Sequence, residues 1–321
     1  MFARMKKVIF DTDIGIDDAM ALLFLHHSPE VELVAITTGF GNASVSTTTR
    51  NALYVKGLFN LNAAVYAGAS TPIGNSLGEG YPDFVHGKNG LGDIPLTTPV
   101  LKSERTKAAQ AIVELAKANP HELSIVAVGR LTNLALALEL HPELPLLVKE
   151  LIVMGGVFGY NGHRGNVSPV AEANIAGDPT AADIVFTSGI PTTIVGLDVT
   201  AETVMSEAYI AQLRQRAGAS GEFIYQISRF YLNFYEKISG KAECPTHDAS
   251  AVAYLLNPEL YRTEAAVVRV ATEGIGIGQT IHDSTRRTYA TNDWLNRPAC
   301  NICVGVDAPG VLAMYMSTLS S

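Results

Sequence analysis

An acidic segment near the start of the chain has the residue types and the spacing that metal or acid–base chemistry needs. Residues 11–19 read Asp-Thr-Asp-Ile-Gly-Ile-Asp-Asp-Ala, so four carboxylates follow one apolar run and enter a helical pattern. Carboxylates this close repel one another unless a cation lies among them. Hard oxygen ligands suit Ca²⁺ or Mg²⁺. Solvated acids and a helix cap explain Asp17 or Asp18 but not all four acids, so the segment predicts a site for one of these ions.

Two later segments add polar groups. His247 and Asp248 begin a second helical pattern, where a capping acid is the ordinary explanation for Asp248. Earlier in the chain, Asn166, Glu172 and Asn174 stand among small residues and have the hydrogen-bond donors and acceptors that sugar hydroxyls require. Taken alone, that series is a polar loop. Acids at two helix starts meet in one cleft if both lie at the carboxyl edge of an open α/β sheet, where such folds bind ligands.

The elements that must position these residues alternate between strands and helices. Continuous apolar strands separated by helices predict a parallel sheet covered on both faces. The predicted strands are Val8–Phe10, Leu33–Thr38, Leu123–Val128, Leu151–Met154 and Thr192–Leu197. The predicted helices are Asp17–His26, Arg105–Lys117, Asn133–Leu140, Thr180–Phe186 and Glu222–Lys237. Without repeats or linkers, the sequence predicts a single α/β domain over residues 1–321, with an open, mostly parallel, twisted sheet flanked by helices.

Two segments do not follow the simple alternation of strands and helices. Residues 74–92 are rich in glycine and predict a long flexible segment, a kind of loop that is usually a functional lid or disordered. The predicted helix Glu222–Lys237 carries an aromatic stripe, with Tyr231 and Tyr235 beside it. A core-facing amphipathic helix explains the stripe, and an aromatic wall over a ligand is the alternative.

Composition and charge restrict the class of protein. The chain has 321 residues, of which 47% are hydrophobic and 17% charged, which excludes disordered and fibrous classes. A net charge of −8 disfavours nucleic acid as a partner. The sequence has no signal-peptide pattern and no apolar stretch of membrane-spanning length, so we expect no membrane partner and a cytoplasmic location. Three cysteines are too few for a disulfide framework, and Cys300 and Cys303 fit a strand with buried thiols better than a redox or zinc pair.

Taken together, these segments resemble one family, the inosine–uridine preferring nucleoside hydrolases. The resemblance runs from Val8 to about Asp307, and its first block together with the His-Asp pair is highly specific. The blocks occur in the family's order: DTDIGIDDA, TTGFGN, VHGKNGLG, VAVGRLTNLA, IVMGG, GNVSPVAEANIAGDP, GLDVT and HDASAVAY. The family hydrolyses the N-glycosidic bond of ribonucleosides to free base and ribose around one tightly held Ca²⁺. The resemblance implies this activity and cofactor here, in a homodimer or homotetramer.

The resemblance also implies a role for each matching residue. Asp13, Asp18 and Asp248 would bind Ca²⁺ through their side chains, together with the backbone carbonyl of Val128. Asp13 would also be the general base on a calcium-bound water, and His247 would assist departure of the nucleobase. The residues implied to hold the ribose are Asp17, Asn42, Asn166, Glu172 and Asn174. His86 would close over the nucleoside from the glycine-rich loop, and Asp11 would support the site without a catalytic role.

The chain departs from the family pattern at Ile14 and Arg130, where the family usually has proline. Ile14 follows the predicted base Asp13, and Arg130 lies two residues after the predicted carbonyl ligand, Val128. Neither change removes a functional side chain. Both bear on the shape of the backbone that positions the site.

The chemistry explains why these residue types are needed. Breaking a ribosyl C1′–N bond passes through an oxocarbenium-like sugar, whose positive charge a ring of carboxylates stabilises as it develops. Ca²⁺ acidifies water weakly, so a separate base is required, and Asp13 is the candidate. The leaving base needs a proton, which a histidine of pKa near 6.5 supplies at neutral pH, and this suits His247.

Substrate preference and reaction class leave alternatives. Purine-specialised relatives stack the base between tryptophans, whereas this chain has only Trp294, outside the matching blocks. That favours a broad or pyrimidine-tolerant pocket for inosine, uridine and cytidine, with His86 and the aromatic residues between 225 and 235 as stacking partners. One alternative is a non-catalytic Ca²⁺-dependent protein that binds nucleosides or ribose. Another is a Mg²⁺-dependent phosphatase with an aspartate nucleophile, which needs Thr or Val where Gly15 stands.

Overall fold

The computed structural model describes residues 5–74, 76, 80–97, 101–285 and 287–321. The strands in these residues are β1 (Lys6–Thr12), β2 (Val31–Thr38), β3 (Ala64–Ala67), β4 (Leu123–Ala127), β5 (Glu150–Met154), β6 (Thr192–Val195), β7 (Val204–Ser206), β8 (Glu243–Pro245), β9 (Tyr261–Val270), β10 (Thr280–Asp283) and β11 (Ala299–Val306). The α-helices are α1 (Ile16–His27), α2 (Val45–Phe59), α3 (Asp83–His86), α4 (Ala108–Ala118), α5 (Thr132–Leu140), α6 (Ala173–Gly177), α7 (Pro179–Phe186), α8 (Leu197–Thr200), α9 (Glu207–Arg216), α10 (Gly218–Ser239), α11 (His247–Leu256) and α12 (Ala308–Leu319). None of the described helices is long and apolar enough to cross a membrane.

One large sheet organises the described part of the chain. Its strand order is β10-β9-β11-β6-β5-β4-β1-β2-β3, and β7 and β8 form a separate antiparallel pair. The strands from β6 to β3 in this order pair in parallel, whereas β9 runs antiparallel to both β11 and β10. The chain moves outward from β1 to β2 and β3, and then returns to β4 on the other side of β1. The strand order therefore reverses between β1 and β4, and at such a point an open α/β sheet leaves a crevice for a ligand.

Both faces of the sheet are buried. Val8 and Phe10 of β1 belong to one apolar cluster, and Ile9 between them belongs to the other, because successive side chains of a strand point to opposite faces. Residues of α1, α2, α8, α9, α10, α11 and α12 contribute to the first cluster, and residues of α4, α5, α6 and α7 contribute to the second. The predicted fold class, an α/β structure with a mostly parallel sheet covered by helices, is confirmed.

The predicted strands all coincide with strands of this sheet, and the differences lie at element ends. The strand predicted for Thr192–Leu197 ends at Val195, because Gly196 stands at the start of the short helix α8. The helix predicted from Arg105 begins three residues later, since Lys107 keeps an extended backbone. Cys300 and Cys303 lie on β11 as buried free thiols, as expected from the strand pattern.

The glycine-rich segment at residues 74–92 is described only in part, since residues 75 and 77–79 lie outside the described residues. The rest of it contains a helical turn, α3, followed by a turn that the Asn89 side chain stabilises. Asn89 accepts a hydrogen bond from the Leu91 N–H at 2.8 Å and donates one to the Ile94 carbonyl at 2.8 Å. The prediction of a long flexible segment therefore missed a packed helical turn that carries His86.

Candidate active site

The end of β1 and the end of β4 meet at the point where the strand order reverses, and the first two site residues lie there. Asp13 follows β1, and Val128 follows β4. The backbone closes tightly on the Asp13 carboxylate: a Cβ at Gly129 would come within 2.6 Å of Oδ1, and one at Gly41 would come within 1.8 Å of Oδ2. Two bare glycines therefore allow neighbouring loops to enclose this carboxylate.

Asn42 connects Asp13 with Asp18. Its backbone N–H donates to Asp13 Oδ2 at 2.6 Å, and its side-chain amide donates to Asp18 Oδ2 at 2.8 Å. Asp18 lies in the first turn of α1, where the helix dipole favours negative charge. It also accepts hydrogen bonds from Thr12 Oγ1 at 2.5 Å and from the Gly15 N–H at 2.8 Å. This network fixes Asp18 at the base of the site.

We name Asp13, Asp17, Asp18 and Asp248 the carboxylate ring. One carboxylate oxygen from each of Asp17, Asp18 and Asp248 lies within 4.8 Å of the others, a spacing that could hold a metal ion. The sequence had placed Asp13 rather than Asp17 in the ligand set. Oδ1 of Asp13 and Oδ1 of Asp17 are both buried without a hydrogen-bond partner. Because orphaned buried oxygens cost free energy, a ring of this kind fits a hard cation that prefers oxygen ligands.

Burial and mutual repulsion raise the pKa values of the ring carboxyls. Burial is the main cause that raises the pKa of Asp248 well above its ordinary value, and the charges of Asp17, Asp18 and Asp13 raise it further. Burial and the charge of Asp18 raise the pKa of Asp13 well above its usual range, and burial raises the pKa of Asp17 to about 6. Each of these shifts favours the protonated carboxyl, whereas a bound cation would favour the carboxylate.

His86 closes one side of the site from α3. The backbone N–H of Ile16 donates to His86 Nδ1 at 3.2 Å. Since a backbone N–H can only donate, Nδ1 is the acceptor and Nε2 carries the proton of the neutral ring. Burial lowers the pKa of His86 to about 4, so the ring is neutral at pH 7.

His247 begins α11 and has a partner at each ring nitrogen. Thr200 Oγ1 lies 2.8 Å from Nδ1, and the Tyr235 hydroxyl lies 3.1 Å from Nε2. Burial is the main cause that lowers the pKa of His247 to about 4, and the charge of His86 lowers it further. This differs from the ordinary pKa near 6.5 expected from the sequence, and the imidazole is neutral at pH 7.

The polar series after β5 is tied to α6. Glu172 caps this helix by accepting hydrogen bonds from the N–H groups of Asn174 at 2.9 Å and Ile175 at 3.2 Å. The Asn174 amide donates to the Val128 carbonyl at 2.8 Å, and Asn166 Oδ1 accepts from the Ala173 N–H at 3.0 Å. The series is therefore an ordered wall of the site rather than a free polar loop.

These groups surround a cavity of about 370 Å³. Of the residues predicted from the sequence, those that line it are Asp17, Asn42, His86, Val128, Asn166, Glu172, Asn174, His247 and Asp248. Asp13 and Asp18 lie buried next to it, with 1% and 0% of their surfaces exposed. The structure thus brings all the predicted site residues to one place, although they come from distant parts of the chain.

An apolar wall faces the acids across the cavity. Tyr231, Phe234 and Tyr235 of α10 line it, together with Phe84 of α3. The rings of Phe84 and Phe234 lie 5.9 Å apart, and the Tyr231 hydroxyl donates to Asp17 Oδ2 at 3.1 Å. Other residues of α10, such as Phe223, are buried in the core, as the amphipathic interpretation predicts, and the cavity-lining rings leave the aromatic wall over a ligand as a prediction.

Tyr225, which was expected among the stacking partners, lies elsewhere, as does Trp294, which was not expected to stack. Tyr225 stacks under the guanidinium groups of Arg214 and Arg229, at 4.2 and 4.4 Å from its ring centroid. Trp294 lies in a short 3₁₀ helix and is not among the described residues that line the cavity. Neither residue can stack on a ligand in this cavity.

Sequence reasoning missed two hydroxyl groups that hold site residues. Thr12 stands between two acids and bonds Asp18, and Thr200 bonds His247. A signal existed in each case, since Thr12 belongs to the first block and Thr200 ends the block GLDVT. The sequence interpretation considered only the acids and the histidine, so it did not include either threonine.

Residues 8–313 match the family model described as inosine-uridine preferring nucleoside hydrolase. The chain belongs to this family. Uridine nucleosidase 1 of Arabidopsis thaliana is 38% identical to this nucleoside hydrolase over 321 residues, which cover 99% of this chain and 94% of that protein. A solved plant nucleoside hydrolase, the PpNRh1 enzyme, superposes with a TM-score of 0.93 at 35% identity and covers 98% of this chain and 99% of its own. A purine-preferring ribonucleoside hydrolase from Gardnerella vaginalis gives a TM-score of 0.89 at 35% identity and covers 98% of both chains.

Proposed function

We propose that this nucleoside hydrolase cleaves the N-glycosidic bond of ribonucleosides with Ca²⁺ in its carboxylate ring, and releases free base and ribose. The observation that carries the proposal is the pair of buried, unpartnered oxygens, Asp13 Oδ1 and Asp17 Oδ1, beside a cavity with an apolar wall. Oxygens without partners suit a cation and sugar hydroxyls. The apolar wall suits a nucleobase.

The residues that would hold the metal are Asp13, Asp18 and Asp248, with the Val128 carbonyl. All are oxygen donors, as Ca²⁺ prefers, and Asn174 already donates to the same carbonyl and so fixes its direction. Bound there, Ca²⁺ would orient the attacking water and the ribose hydroxyls. Asp17 lies close enough to the other acids to share this position, and we assign it to the ribose.

Asp13 is the general base in this proposal. Its Oδ2 accepts the Asn42 N–H, so Oδ1 is the atom left to take a proton from the attacking water. As the C1′–N bond breaks, positive charge develops on the sugar, and the neighbouring carboxylates stabilise it more than they stabilise the neutral substrate. The remaining sugar hydroxyls would contact Asn42, Asn166, Glu172 and Asn174, which line the same cavity.

Tyr235 and His247 would protonate the leaving base. The base departs with the electron pair of the broken bond and becomes neutral when it accepts a proton. His247 is neutral at pH 7 because burial lowers its pKa to about 4, so it does not hold a spare proton at rest. We therefore place the donation on the Tyr235 hydroxyl, whose proton would pass to the departing base. The remaining phenolate would accept a hydrogen bond from His247 Nε2–H, while Nδ1 accepts from Thr200, until solvent returns the proton.

The nucleobase would stack in the apolar part of the cavity. Phe84 and Phe234 offer ring faces there, and no tryptophan is among the described lining residues. The Arabidopsis relative is named for uridine and the Gardnerella structure for purines. We propose a broad or pyrimidine-tolerant preference that includes uridine, inosine and cytidine.

Assembly as a homodimer or homotetramer and a cytoplasmic location belong to the same proposal. The assembly as a homodimer or homotetramer is supported only by the resemblance to the family. The second is supported by the cysteines, since Cys244, Cys300 and Cys303 are all buried free thiols, as expected in a reducing compartment.

The test is the release of free ribose from uridine, cytidine, inosine and adenosine in phosphate-free buffer, with Ca²⁺ or with EDTA. We expect release with Ca²⁺ and its loss in EDTA. Asp13→Asn should lower kcat by about 10²- to 10⁴-fold, the usual contribution of a general base. Glu259→Gln, which changes an exposed acid, is the matched control. Ribose binding without release from any nucleoside would favour the non-catalytic alternative, and release of phosphate from a chromogenic ester would favour the phosphatase.

A further inference from the structure

Asn51 lies in α2 and links two segments of the site from outside the cavity. Its side chain is fully buried, and it is not among the described residues that line the cavity. Its amide nitrogen donates to the carbonyl of Ile14 at 3.1 Å and to the carbonyl of Asn89 at 2.9 Å. Ile14 belongs to the acidic segment at residues 11–19, and Asn89 belongs to the turn after α3. One side chain therefore joins these two segments.

The orientation of the Asn51 amide is fixed by its partners. A backbone carbonyl only accepts hydrogen bonds and a guanidinium only donates them, so the amide nitrogen faces the two carbonyls and Oδ1 faces Arg50. Arg50 Nη2 donates to Asn51 Oδ1 at 3.0 Å and to the Asn89 carbonyl at 3.0 Å. Gly90 has a φ of +79°, and a Cβ there would come within 2.8 Å of Asn51 Nδ2. A bare glycine therefore allows the turn to approach this amide closely.

The same turn places His86 against the acidic segment. The Gly92 N–H donates to the His86 carbonyl at 2.8 Å, so the residues between them, Asn89 included, form one closed turn with His86. His86 Nδ1 accepts from the Ile16 N–H at 3.2 Å. Ile16 is the first residue of α1, where a backbone N–H has no acceptor within the helix. Asn51 and His86 therefore bridge the same two segments at neighbouring points.

We propose that Asn51 is a positioning residue that holds His86 against the acidic segment and so improves the binding of the nucleoside. The inference rests on the proposed function, since it takes a nucleoside as the ligand of the cavity that His86 lines. Asn51 acts through the turn, because its own side chain is separated from the cavity. Without its amide, the direct hydrogen bond between His86 and Ile16 would lose the neighbouring bridge that supports it.

The first measurement is hydrogen exchange of the Ile16 backbone amide, followed by NMR in the wild type and in Asn51→Leu with Ca²⁺ present. Leucine is similar in size to asparagine but donates no hydrogen bond. We expect the Ile16 amide to exchange at least about tenfold faster in the variant, because its acceptor, His86, separates from it more often.

The control for this measurement is Leu53→Ala. Leu53 is also buried on α2, but it lies two residues from Asn51, on another face of the helix, and lines a different cavity. The substitution removes packing from α2 and leaves both bridges intact. It should keep the exchange rate of the Ile16 amide within about threefold of the wild type.

The second measurement is the steady-state release of ribose from uridine. Asn51→Leu should raise KM at least about tenfold and keep kcat within about threefold, since a loss of substrate binding raises KM alone. In protein that already carries His86→Ala, the same substitution should change KM by less than about twofold. A residue that acts through His86 has no further effect once that side chain is removed.

An unchanged exchange rate of the Ile16 amide in Asn51→Leu would overturn the inference, as would an equal increase in Leu53→Ala. So would an unchanged KM, or a full rise of KM in the His86→Ala protein, because Asn51 would then act independently of His86. If Asn51→Leu does not fold, Asn51→Ser takes its place with the same expectation, since a single hydroxyl hydrogen cannot serve both carbonyls. If the wild type releases no ribose from any nucleoside, the proposed function fails, and the exchange of the Ile16 amide alone decides whether Asn51 positions His86.

Discussion

Tyr235 and His247, from the end of α10 and the start of α11, share a hydrogen bond of 3.1 Å between the phenol oxygen and Nε2. Thr200 occupies Nδ1 at 2.8 Å, so both nitrogens of this buried ring have partners. A neutral imidazole between two hydroxyl groups can donate from Nε2 to the tyrosine oxygen while Nδ1 accepts from the threonine. In the proposed reaction, the tyrosine and the histidine would therefore act on the leaving group together.

Removal of this hydroxyl should slow the chemical step. We expect Tyr235→Phe to lower kcat for uridine by about 100-fold, within the usual range for general acid catalysis, with little change in KM. Tyr225→Phe is the matched control, because Tyr225 lies under two arginines outside the cavity. Steady-state kinetics of both variants measures the difference. An unchanged kcat for Tyr235→Phe would place the proton donor elsewhere.

A methyl group at Gly15 should displace His86. A Cβ there would come within 2.6 Å of His86 Nδ1 and 2.7 Å of Asn42 Nδ2. We expect Gly15→Ala to lower kcat/KM at least about tenfold, because His86 and Asn42 both line the cavity. At Gly39, by contrast, a Cβ meets only Asn133 Nδ2 at an ordinary 3.6 Å, so Gly39→Ala should retain activity. Equal activity of the two variants would contradict the steric explanation.

Phe234 should contribute to the binding of every base. Stacking of a base on an aromatic ring contributes about 1–3 kcal/mol, so Phe234→Ala should lower kcat/KM by about 10- to 100-fold for uridine and inosine alike. The control is Leu146→Ala, at a side chain with 67% exposure outside the cavity. Kinetics on the four nucleosides measures the effect. A loss confined to one base would show that Phe234 selects among bases rather than stacking on all of them.

Asp11 should make the stability of the metal-free protein depend on pH. Burial raises the pKa of this carboxyl from 3.8 to about 6, although it accepts hydrogen bonds from Thr37 and Asn133. The unfolded chain therefore loses this proton at lower pH than the folded protein. A rise in pH from about 4 to about 7 ionises the buried group and costs the folded state about 3 kcal/mol.

Asp11→Asn removes this titration. In EDTA, the free energy of unfolding of the wild type relative to the variant should be most favourable near pH 4.5 and should decrease toward pH 7.5. Urea unfolding at several pH values measures it, with the exposed Asp83→Asn as control. A difference that does not change with pH would show that Asp11 titrates alike in the folded and unfolded states.

Much of this architecture could be predicted from local patterns. The apolar runs of β1, β2, β4, β5 and β6 are buried on both faces, and such strands have a continuous signal that sequence reasoning detects. The edge of the sheet beyond β11 was not predicted. Strand β9 alternates buried and exposed residues along part of its length, and its partner β10 has only four residues. A short antiparallel pair of this kind depends on tertiary pairing more than on local pattern.

The residues of the site were predicted from the sequence, but the hydrogen bonds that join them were not. Each acid and amide that the resemblance assigns to the metal or the ribose lines the cavity or lies buried next to it. The pKa of His247 could not be read from the sequence, because it depends on how deeply α11 is buried. The positions of Thr12 and Thr200 depend in the same way on which side chain they meet across the fold. The residue types and their spacing in the sequence indicate the kind of chemistry, whereas the burial of each side chain in the folded protein determines its protonation state.

The place of β11 in the sheet has a consequence for biosynthesis. This strand lies between β6 and β9, so residues 299–306 complete the interior of a sheet whose other strands all come earlier in the chain. While the ribosome is still adding those residues, β6 and β9 have no partner between them and expose open edges. Completion of the sheet must therefore wait until translation has passed residue 306, and a nascent chain stalled earlier would present edges that other strands can join.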